Sequence, residues 1–570
     1  MDTLNFDIII VGGGAAGLRA AMSAIEYNDK LKIAIVSKVY PMRSHTVSAE
    51  GGAAAVLKDY DNLDLHCFDT IKGSDYLADQ DVVEYFVNES PDEILRLENW
   101  GCPWSRDSDG RVSSRAFGGM SVKRTVYAAD KTGFHMLHSL FQRTLMYENI
   151  ERFDEWFVTS LLTDKGKVTG LTAIDLKTGE LNAICANSVI LSTGGAGKVY
   201  KFTTNASICT GDGMALAYRA GVPMKDMEFV QFHPTLLPVN GILLTEGARG
   251  EGGYLVNKDN ERFLKNYAPE KMELGPRDLL SRALLTEINE GRGFDGPYGS
   301  YIGLDLRHLG EDVIETKLPL VKEISENFAG INPSQELIPV RPGEHYSMGG
   351  ISVDITGSTS VKGLFSAGES ACISLNGANR LGSNSLTECL VFGAYTGRSA
   401  AEHATNSKNK SKEIDVNSLL LSEEKRIFSN LLGKEKNTEK VSVIRDEMQL
   451  NMDNLVGVFR NEEDCLKACK VISKLKSRFK KVGVSDKERP FNTELVSVLE
   501  LDFMLDVAEA IAHSALNRKE SRGSHYRNDY VKRNDSKFLK HSLAYKTNDG
   551  LKLKYIPVTI TKWKPQERVY

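Results

Sequence analysis

Four segments, three of them containing glycines, carry side chains suited to binding a small anion. They lie at residues 231–235 (Gln-Phe-His-Pro-Thr), 245–253 (Thr-Glu-Gly-Ala-Arg-Gly-Glu-Gly-Gly), 345–350 (His-Tyr-Ser-Met-Gly-Gly) and 376–385 (Asn-Gly-Ala-Asn-Arg-Leu-Gly-Ser-Asn-Ser). Glycines bring backbone N–H groups close to a ligand, and arginine pairs bidentately with carboxylates. Any one segment alone could instead hold a buried ion pair, such as Arg249 with Glu246, or a capping histidine. Their joint occurrence predicts a site for a small dianion.

A second glycine cluster, near the N-terminus, predicts dinucleotide binding. Residues 6–11 form a largely apolar run typical of a buried parallel strand, and residues 31–36 form another after apolar positions at helical spacing. Between them comes a G-x-G-x-x-G turn made of Gly12, Gly13, Gly14, Ala15, Ala16 and Gly17. In a βαβ unit such glycines let the backbone approach a pyrophosphate at a helix N-terminus. The alternative is a merely tight turn.

The acidic residue that usually follows the second strand of such a unit is missing. Ser37 and Lys38 stand in its place. We expect a ribose hydroxyl to be met by Ser37 or by backbone groups. Lys38 by itself is thin evidence for a 2′-phosphate, so the sequence does not favour NADP.

Residues 43–52 (Arg-Ser-His-Thr-Val-Ser-Ala-Glu-Gly-Gly) predict a loop pressed against a flat ligand, because small and hydroxyl residues precede paired glycines. By residue type alone, His45 would more often be a hydrogen-bonding loop histidine than a reactive one. The whole run 37–52, however, closely resembles the flavoprotein subunit of succinate dehydrogenase and fumarate reductase (respiratory complex II). That resemblance implies FAD joined covalently, through its 8α-methyl group, to His45.

Such a link has a chemical purpose, because an electron-withdrawing imidazole substituent raises the potential of the flavin. Succinate is a poor hydride donor and needs a strong oxidant. The same resemblance assigns further cofactor-binding residues around the flavin: Ser44, Thr46, Glu50, Gly51, Gly52, Arg380, Ser385 and Leu386.

Two more strand-to-glycine turns, at residues 188–197 and 363–369, are typical of flavoproteins that contact FAD at several strand ends. Glu369 and Asp212 are candidate acceptors for ribose or ribityl hydroxyls; the alternative for either is a helix cap or turn residue. We expect an α/β fold in which an FAD-binding Rossmann-like domain is interrupted by a capping domain and followed by a helical domain and a C-terminal extension. The predicted parts are FAD-binding at 1–228 and 344–414, capping at 229–343, helical at 415–520 and C-terminal at 521–570.

The four anion-binding segments also resemble the complex II flavoprotein pattern. The resemblance implies that His233, Thr245, His345 and Arg380 hold the dicarboxylate. It also implies that Arg277 exchanges a proton with the substrate carbon, relayed by Glu246 and Arg249. Arginine is an unusual acid, since its pKa exceeds about 12. A buried guanidinium beside a second arginine and a carboxylate could nevertheless lend a proton briefly and stabilise the transition state.

Arg277 rests on the resemblance at residues 275–278 (Gly-Pro-Arg-Asp), because spacing alone leaves Arg262 and Arg282 as neighbours. The implied reaction is a hydride transfer between the flavin and one methylene carbon, with a proton exchanged on the opposite face. Binding groups on opposite sides of the substrate could twist its carboxylates before that transfer.

Length and composition limit the classes of protein. A chain of 570 residues exceeds the roughly 250–300 residues of one core, and 41% hydrophobic with 26% charged residues is ordinary for a folded protein. A net charge of −5 gives no case for nucleic-acid binding. No apolar run approaches about 20 residues, and the N-terminus lacks a signal-peptide layout. The eight cysteines show neither zinc nor iron–sulfur spacing, which leaves reduced thiols as the simplest interpretation.

From about residue 415 the pattern changes, with sparse glycine and leucine and methionine at helical spacing, which predicts antiparallel helices. The tail from Arg518 is basic and polar. It includes five lysines that form either a solvated face or a docking surface for a partner: Lys546, Lys552, Lys554, Lys562 and Lys564.

The leading hypothesis is a subunit that interconverts succinate and fumarate. Because the chain shows no cluster ligands, we expect an iron–sulfur partner subunit, membrane anchor subunits and a quinone beyond it, and a peripheral position on the cytoplasmic side of the cell membrane. A soluble L-aspartate oxidase-like enzyme is the alternative, although those relatives lack the histidine at the position of His45. A flavin-binding module without turnover would show other residue types at the positions predicted to bind the dianion, and no such replacement is seen. Glu50 favours fumarate reduction slightly, since a carboxylate near flavin N1 would lower the reduction potential of the flavin. The physiological direction of the reaction stays open.

Overall fold

The computed structural model describes residues 3–407, 416–434, 438–548 and 550–569. Its centre is a five-stranded sheet in which every strand pair is parallel. The strands follow the order β18 (Leu364–Ser366), β11 (Ser188–Leu191), β2 (Ile8–Val11), β3 (Ile33–Ser37) and β7 (Ile150–Asp154). All four residues of β2 are buried, as expected for a parallel strand covered on both faces.

The α-helices pack around the sheets, and those near the C-terminus form a block that shares the core of this central sheet. They are α1 (Ala15–Tyr27), α2 (Leu63–Gly73), α3 (Gln80–Asn99), α4 (Thr132–Thr144), α5 (Asp212–Arg219), α6 (Glu246–Gly250), α7 (Arg277–Asn289), α8 (Glu311–Lys317), α9 (Pro319–Ile324), α10 (Asn384–Asn406), α11 (Val416–Glu424), α12 (Val441–Leu455), α13 (Glu462–Phe479), α14 (Thr493–Asn517) and α15 (Asp535–Phe538). Helices α1 and α10 pack closely against each other. A Cβ placed on Gly397 of α10 would lie 2.2 Å from the carbonyl oxygen of Ala20, so glycine permits this approach.

Two antiparallel additions flank the central sheet. One contains β1 (Thr3–Asn5), β10 (Glu180–Cys185), β9 (Lys167–Asp175) and β8 (Trp156–Asp164), with β1 pairing parallel to β10. The other contains β4 (Ala53–Ala54), β6 (Thr125–Val126) and β5 (Ser114–Arg115). These strands extend the α/β domain beyond its parallel core.

A separate four-stranded sheet lies between the two parts of that domain. It contains β13 (Val230–Leu236), β16 (Ile338–Ser347), β15 (Ile302–Asp305) and β14 (Tyr254–Val256), all antiparallel. The sheet packs with α7, α8 and α9 around its own buried cluster, which includes Leu237, Leu284 and Val340. The position agrees with the expected insertion, while the boundaries 229–343 stay a prediction.

The C-terminal region returns to the α/β domain. Helices α12, α13 and α14 pack against one another and share the large core with the central sheet. The tail strands β22 (Lys540–Thr547) and β23 (Gly550–Pro557) join β12 (Met224–Lys225), β17 (Gly350–Ser352) and β19 (Ala371–Cys372) in one sheet. The two remaining strands, β20 (Phe459–Arg460) and β21 (Tyr526–Arg527), pair with each other. The expected α/β fold class is confirmed, and the predicted 414/415 boundary lies outside the described residues.

Candidate functional site

The glycine turn after β2 lies at the carboxyl end of the central sheet and leads into α1. Gly12 has φ +112°, and a Cβ there would lie 2.2 Å from the carbonyl oxygen of Ser192. Gly14 is the N-cap and provides no side-chain cap; the N–H of Ala15 donates to Thr46 Oγ1, while the partial positive charge at the N-terminus of α1 still suits an anion. A Cβ on Gly17 would lie 2.0 Å from the carbonyl oxygen of Gly12, so Gly17 serves the turn's packing rather than ligand contact.

One continuous cavity runs from this turn to the inserted sheet. It is lined by almost every residue that the sequence predicts for the site: Gly12, Gly13, Gly14, Ala15, Ala16, Ser37, Lys38, Ser44, His45, Thr46, Glu50, Gly51, Gly52, Asp212, His233, Thr245, Glu246, Arg277, His345, Glu369, Arg380, Ser385 and Leu386. Gly17 and Arg249 do not line it. The predicted cofactor and anion residues therefore share one space.

Lys38 and Asp212, predicted separately, contact each other at one end of the cavity. Lys38 Nζ lies 2.7 Å from Asp212 Oδ2 and 2.8 Å from Glu500 Oε1 on α14. Burial disfavours the charged amine, but Asp212 and Glu500 outweigh it and raise the pKa of Lys38. The ion pairs fasten the helical block to the cofactor end of the α/β domain.

The same end has an apolar wall that the sequence did not reveal. Trp156, Phe157 and Val158, at the start of β8, line the cavity. An aromatic and aliphatic wall suits the flat base of a dinucleotide. Sequence reasoning missed it because apolar residues in a strand give the same signal whether they face a core or a cofactor.

The loop that carries His45 is tied to both the glycine turn and the segment 203–206. The N–H of Ala15 donates to Thr46 Oγ1 at 3.2 Å, and the N–H of Ala206 donates to His45 Nδ1 at 3.4 Å. Burial, with the charge of Lys198, lowers the pKa of His45 to about 4, so the ring is neutral at pH 7. Because Nδ1 accepts a hydrogen bond, Nε2 is the ring atom left for other chemistry.

Two buried acids line the cofactor part of the cavity. Burial, reinforced by Asp130, raises the pKa of Glu50 well above its ordinary value, and its Oε2 has no hydrogen-bond partner among the described residues. Burial therefore disfavours the carboxylate form of Glu50, which the interpretation of the sequence had taken for granted. Burial also raises the pKa of Glu369 to about 7, and its Oε1 accepts from the N–H of Ser347 at 2.9 Å.

Two neutral histidines face each other where the cavity meets the inserted sheet, with ring centroids of His233 and His345 5.0 Å apart. Burial lowers the pKa of each ring well below its ordinary value, with Arg277 the next cause. The N–H of Thr235 donates to His233 Nδ1 at 3.2 Å, so the neutral ring carries its hydrogen on Nε2. That buried Nε2 has no partner within the described part of the chain and can donate to a ligand.

Gln231 holds the two arginines of the cavity together. Its Oε1 accepts from Arg277 Nη1 at 3.0 Å and from Arg380 Nη2 at 3.1 Å. Burial and the charge of Arg277 lower the pKa of Arg380 to about 10, and its guanidinium lies over the Tyr346 ring. Gln231 belongs to a segment the sequence singled out, but an uncharged amide gave no sign of this bridging role.

Arg277, Glu246 and Arg249 form a buried chain of charges. Arg277 Nε donates to Glu246 Oε2 at 2.8 Å, and Arg249 Nη2 lies 3.8 Å from the same oxygen. Burial opposes the charged carboxyl, but the two guanidiniums together hold the pKa of Glu246 below its ordinary value. Arg277 uses Nε and Nη1 within this network, which leaves Nη2, among the described contacts, for a ligand.

Thr245 is the N-cap of α6, where its Oγ1 accepts from the N–H of Gly247 at 3.2 Å. Its hydroxyl hydrogen remains available to a ligand in the cavity. Thr245, Glu246 and Arg249 are close in sequence, and the short helix with its N-cap therefore brings all three to one place in the site.

The cavity residues fit FAD. The glycine cradle and the N-terminus of α1 suit a pyrophosphate, the Trp156 wall suits an adenine, and the unpartnered buried oxygens of Ser44 and Glu50 suit hydroxyl or flavin polar atoms. The eight cysteines are all free thiols, and no cluster of three or more potential metal ligands occurs in the described residues. Within residues 3–407, 416–434, 438–548 and 550–569, no helix has the length and apolarity to cross a membrane.

Comparison with known proteins places these features in context. Residues 7–386 match a family model described as an FAD binding domain, and residues 445–570 match one described as the fumarate reductase flavoprotein C-terminus. The chain is 54% identical, over the full length of both chains, to a fumarate reductase flavoprotein subunit of Mycobacterium tuberculosis. It is 42% identical to a succinate dehydrogenase flavoprotein subunit of Rickettsia bellii, covering 99% of this chain and 98% of the relative. A solved Escherichia coli quinol fumarate reductase variant superposes with a TM-score of 0.97 at 49% identity, covering 100% of this chain and 99% of that one.

Proposed function

The chain belongs to the family of fumarate reductase and succinate dehydrogenase flavoprotein subunits, and we propose that its cavity binds fumarate and succinate and interconverts them. One observation carries this proposal: a cluster of two neutral histidines and two arginines opens into the cavity that the glycine turn lines. A four-carbon dianion and a bound FAD would therefore share one space. The relatives named fumarate reductase support fumarate reduction as the working direction.

The carboxylates of the substrate are held by donors from three elements. His233 and His345 donate from β13 and β16, Thr245 donates from α6, and Arg380 supplies a charge. Neutral histidines suit this role, because they donate a hydrogen bond without adding further positive charge between two arginines. The cluster excludes water from the reacting carbons once the dianion fills it.

Bound FAD would supply the hydride that adds to one carbon of the double bond. Arg277 delivers a proton to the other carbon from Nη2, and Glu246 and Arg249 restore it from behind. The 2.8 Å Arg277–Glu246 contact supports this order, because it is short enough for Glu246 to return a proton to the guanidinium, and Arg249 lies beside Glu246. In the reverse direction Arg277 receives the proton.

His45 is the residue we assign to the covalent bond with the 8α-methyl group of FAD. Its ring is neutral, lines the cavity and has Nδ1 turned to the N–H of Ala206. A ring alkylated at Nε2 keeps its lone pair at Nδ1, which is the atom that Ala206 addresses. The linked state is therefore compatible with the hydrogen bonding of the free protein.

Electrons must reach this site from another chain. The free, mostly buried cysteines offer no cluster site in the described residues, and the similar E. coli protein is named as a quinol fumarate reductase. We therefore assign an iron–sulfur subunit as direct partner, membrane anchor subunits and quinol beyond it, and a peripheral place on the cytoplasmic face of the cell membrane.

The test is turnover by the purified flavin-loaded protein, isolated untagged with the chains that accompany it. With reduced benzyl viologen as donor, fumarate should be reduced to succinate, and malonate should compete. Oxygen consumption with L-aspartate, without fumarate reduction, would instead favour the aspartate oxidase alternative. An iron–sulfur chain in the same preparation would support the partner assignment.

A further inference from the structure

The segment 202–206 contacts two of the three histidines of the site, His345 and His45. Thr204 Oγ1 lies 2.9 Å from His345 Nδ1, and the N–H of Ala206 donates to His45 Nδ1 at 3.4 Å. Because each contact addresses Nδ1, the path of this one segment determines how both rings present Nε2.

Glu344 fastens that segment to β16. Its N–H donates to the carbonyl oxygen of Phe202 and its carbonyl oxygen accepts from the N–H of Thr204, both at 3.0 Å. Its side chain adds two more bonds, because Oε2 accepts from Thr203 Oγ1 and, at 3.3 Å, from Asn205 Nδ2. The same Asn205 Nδ2 donates to the carbonyl oxygen of His345 at 2.9 Å. Both backbone and side chain of Glu344 therefore hold one short stretch.

The site of this carboxyl is costly and closely fitted. Glu344 is only 1% exposed, and its Oε1 and Asn205 Oδ1 lack partners in the part of the chain that the structure describes. A Cβ on Gly197 would lie 2.3 Å from Glu344 Oε2, so glycine makes room for the acid. A buried polar group with an unsatisfied atom is destabilising, so its presence calls for a role other than stability.

We propose that Glu344 is a positioning residue that fixes the segment 202–206 and thereby orients His345 toward the dicarboxylate and His45 toward the flavin methyl group. This inference rests on the proposed function. Glu344 acts through Thr204 and Ala206 and touches neither substrate nor cofactor.

The charge state of Glu344 adds a signature that a purely structural residue would lack. Burial raises its pKa to about 8; the Thr203 hydrogen bond and Lys198 oppose the rise, while Glu369 and Asp453 add to it. These groups face it from the turn Gly197–Val199, the turn Gly368–Ser370 and α12. Above about pH 8 the carboxylate would place a negative charge beside the dianion site, so the KM for fumarate should rise there.

The experiment compares Glu344→Ala, Glu344→Gln and the control Glu336→Ala, an exposed acid preceding the same strand. Flavin fluorescence after denaturing electrophoresis measures covalent attachment, and viologen-linked assays from pH 6.5 to 9 give KM and kcat. Glu344→Ala should reduce the fraction of covalently attached flavin to half of the wild-type value or less. It should also raise the KM for fumarate about tenfold or more, since small misplacements of binding groups are costly. Glu344→Gln, whose Oε1 accepts both bonds, should restore both values at pH 7 and lose the rise in KM above pH 8.

Thr204→Val keeps the inference testable if Glu344→Ala does not fold. It removes only the contact to His345, so KM should rise while covalent attachment stays at the wild-type level. Wild-type attachment and KM in Glu344→Ala, or a wild-type KM in Thr204→Val, would overturn the inference. A wild-type protein without fumarate turnover would overturn the proposed function instead, while the flavin fluorescence would still report on Glu344.

Discussion

Charged side chains in this site lie next to side chains of opposite charge, which stabilise their charged forms. Glu246 stays charged in a fully buried place because Arg277 and Arg249 flank it. Removing one member leaves the others with an uncompensated buried charge, which is strongly unfavourable. The effects of single substitutions therefore depend on whether the residue also touches the substrate.

Arg277→Ala should lose turnover by about 10³-fold or more while fumarate still binds, because general acid catalysis contributes about 10²–10⁴-fold and the charge on Glu246 is disturbed as well. Arg282→Ala is the matched control on the same helix. Arg282 contacts Asp278 and the carbonyl oxygen of Gly523 rather than the cavity, so kcat should change less than threefold. The viologen assay gives kcat, and flavin absorbance changes on titration give the Kd. Equal rates for Arg277→Ala and wild type would reject the assigned role.

His45→Ser should release FAD on denaturation with SDS or acid, whereas wild-type flavin should stay with the chain. The serine variant should still bind FAD through the glycine turn at residues 12–17 and retain part of its fumarate reduction. In that direction the reduced flavin is the hydride donor, so the high flavin potential that succinate oxidation needs is not required. His138→Ser, an exposed histidine on α4, is the control and should keep its flavin. Free flavin from the denatured wild-type protein would contradict the link.

At the scale of elements, the cofactor end of the sheet depends on a close helix pair. Helices α1 and α10 approach through Gly393 and Gly397, where added Cβ atoms would lie 2.8 and 2.2 Å from backbone oxygens of α1. The N-terminus of α1 forms part of the cradle, so a shift of this helix displaces the groups that meet the pyrophosphate.

Gly397→Ala should lower the free energy of unfolding by about 1–3 kcal/mol, since overpacking forces backbone shifts. Arg398→Ala, at the next and exposed position of α10, is the control and should stay within about 0.5 kcal/mol. Urea unfolding of the flavin-loaded protein measures both. A Gly397→Ala variant as stable as wild type would show that α10 can move away from α1 without cost.

At the scale of the whole molecule, the tail is part of the α/β domain rather than an appendage. His541 on β22 is buried between Asp226 and Asp79, with Nδ1 2.6 Å from Asp226 Oδ2 and Nε2 3.2 Å from Asp79 Oδ1. Burial disfavours the cation, but Asp226 and then Asp79 raise the pKa of His541 to about 9. Two of the five tail lysines are likewise paired: Lys546 with Asp506 and Lys562 with Asp64. Those two belong to the fold's own ion pairs.

This buried cation predicts a loss of stability at alkaline pH. The folded pKa of about 9 exceeds the ordinary value of 6.5, so the stabilisation is complete below about pH 6.5 and disappears as the pH rises through 9. The temperature at which half of the protein is unfolded should therefore decrease as the pH is raised from 6.5 to 9. His541→Gln should be less stable at pH 6.5 and show a smaller fall over this range; His513→Gln is a control on α14. Parallel curves for wild type and His541→Gln would contradict the assignment.

Much of this protein could be predicted from its sequence because the determinants are local. The turn from Gly12 to Gly17 lies between a buried strand and a helix, and residues 245–253 carry three site side chains within a short helix. Such motifs state both the backbone shape and the ligand chemistry over a few residues. The dinucleotide cradle, the α/β class and the anion-binding character follow from them, and the family resemblance added the roles of His45 and Arg277.

Only the tertiary structure decided which distant residues meet. Gln231 bridges Arg277 and Arg380 across 46 and 149 positions of the chain, and Lys38 pairs with Glu500 across 462. It also showed that burial raises the pKa of Glu50 well above its ordinary value, which the sequence did not indicate. Burial and long-range contact set the charge of a side chain, and neither is written in neighbouring residues. The chemistry of each group is thus local information, while its protonation and its partners are properties of the folded chain.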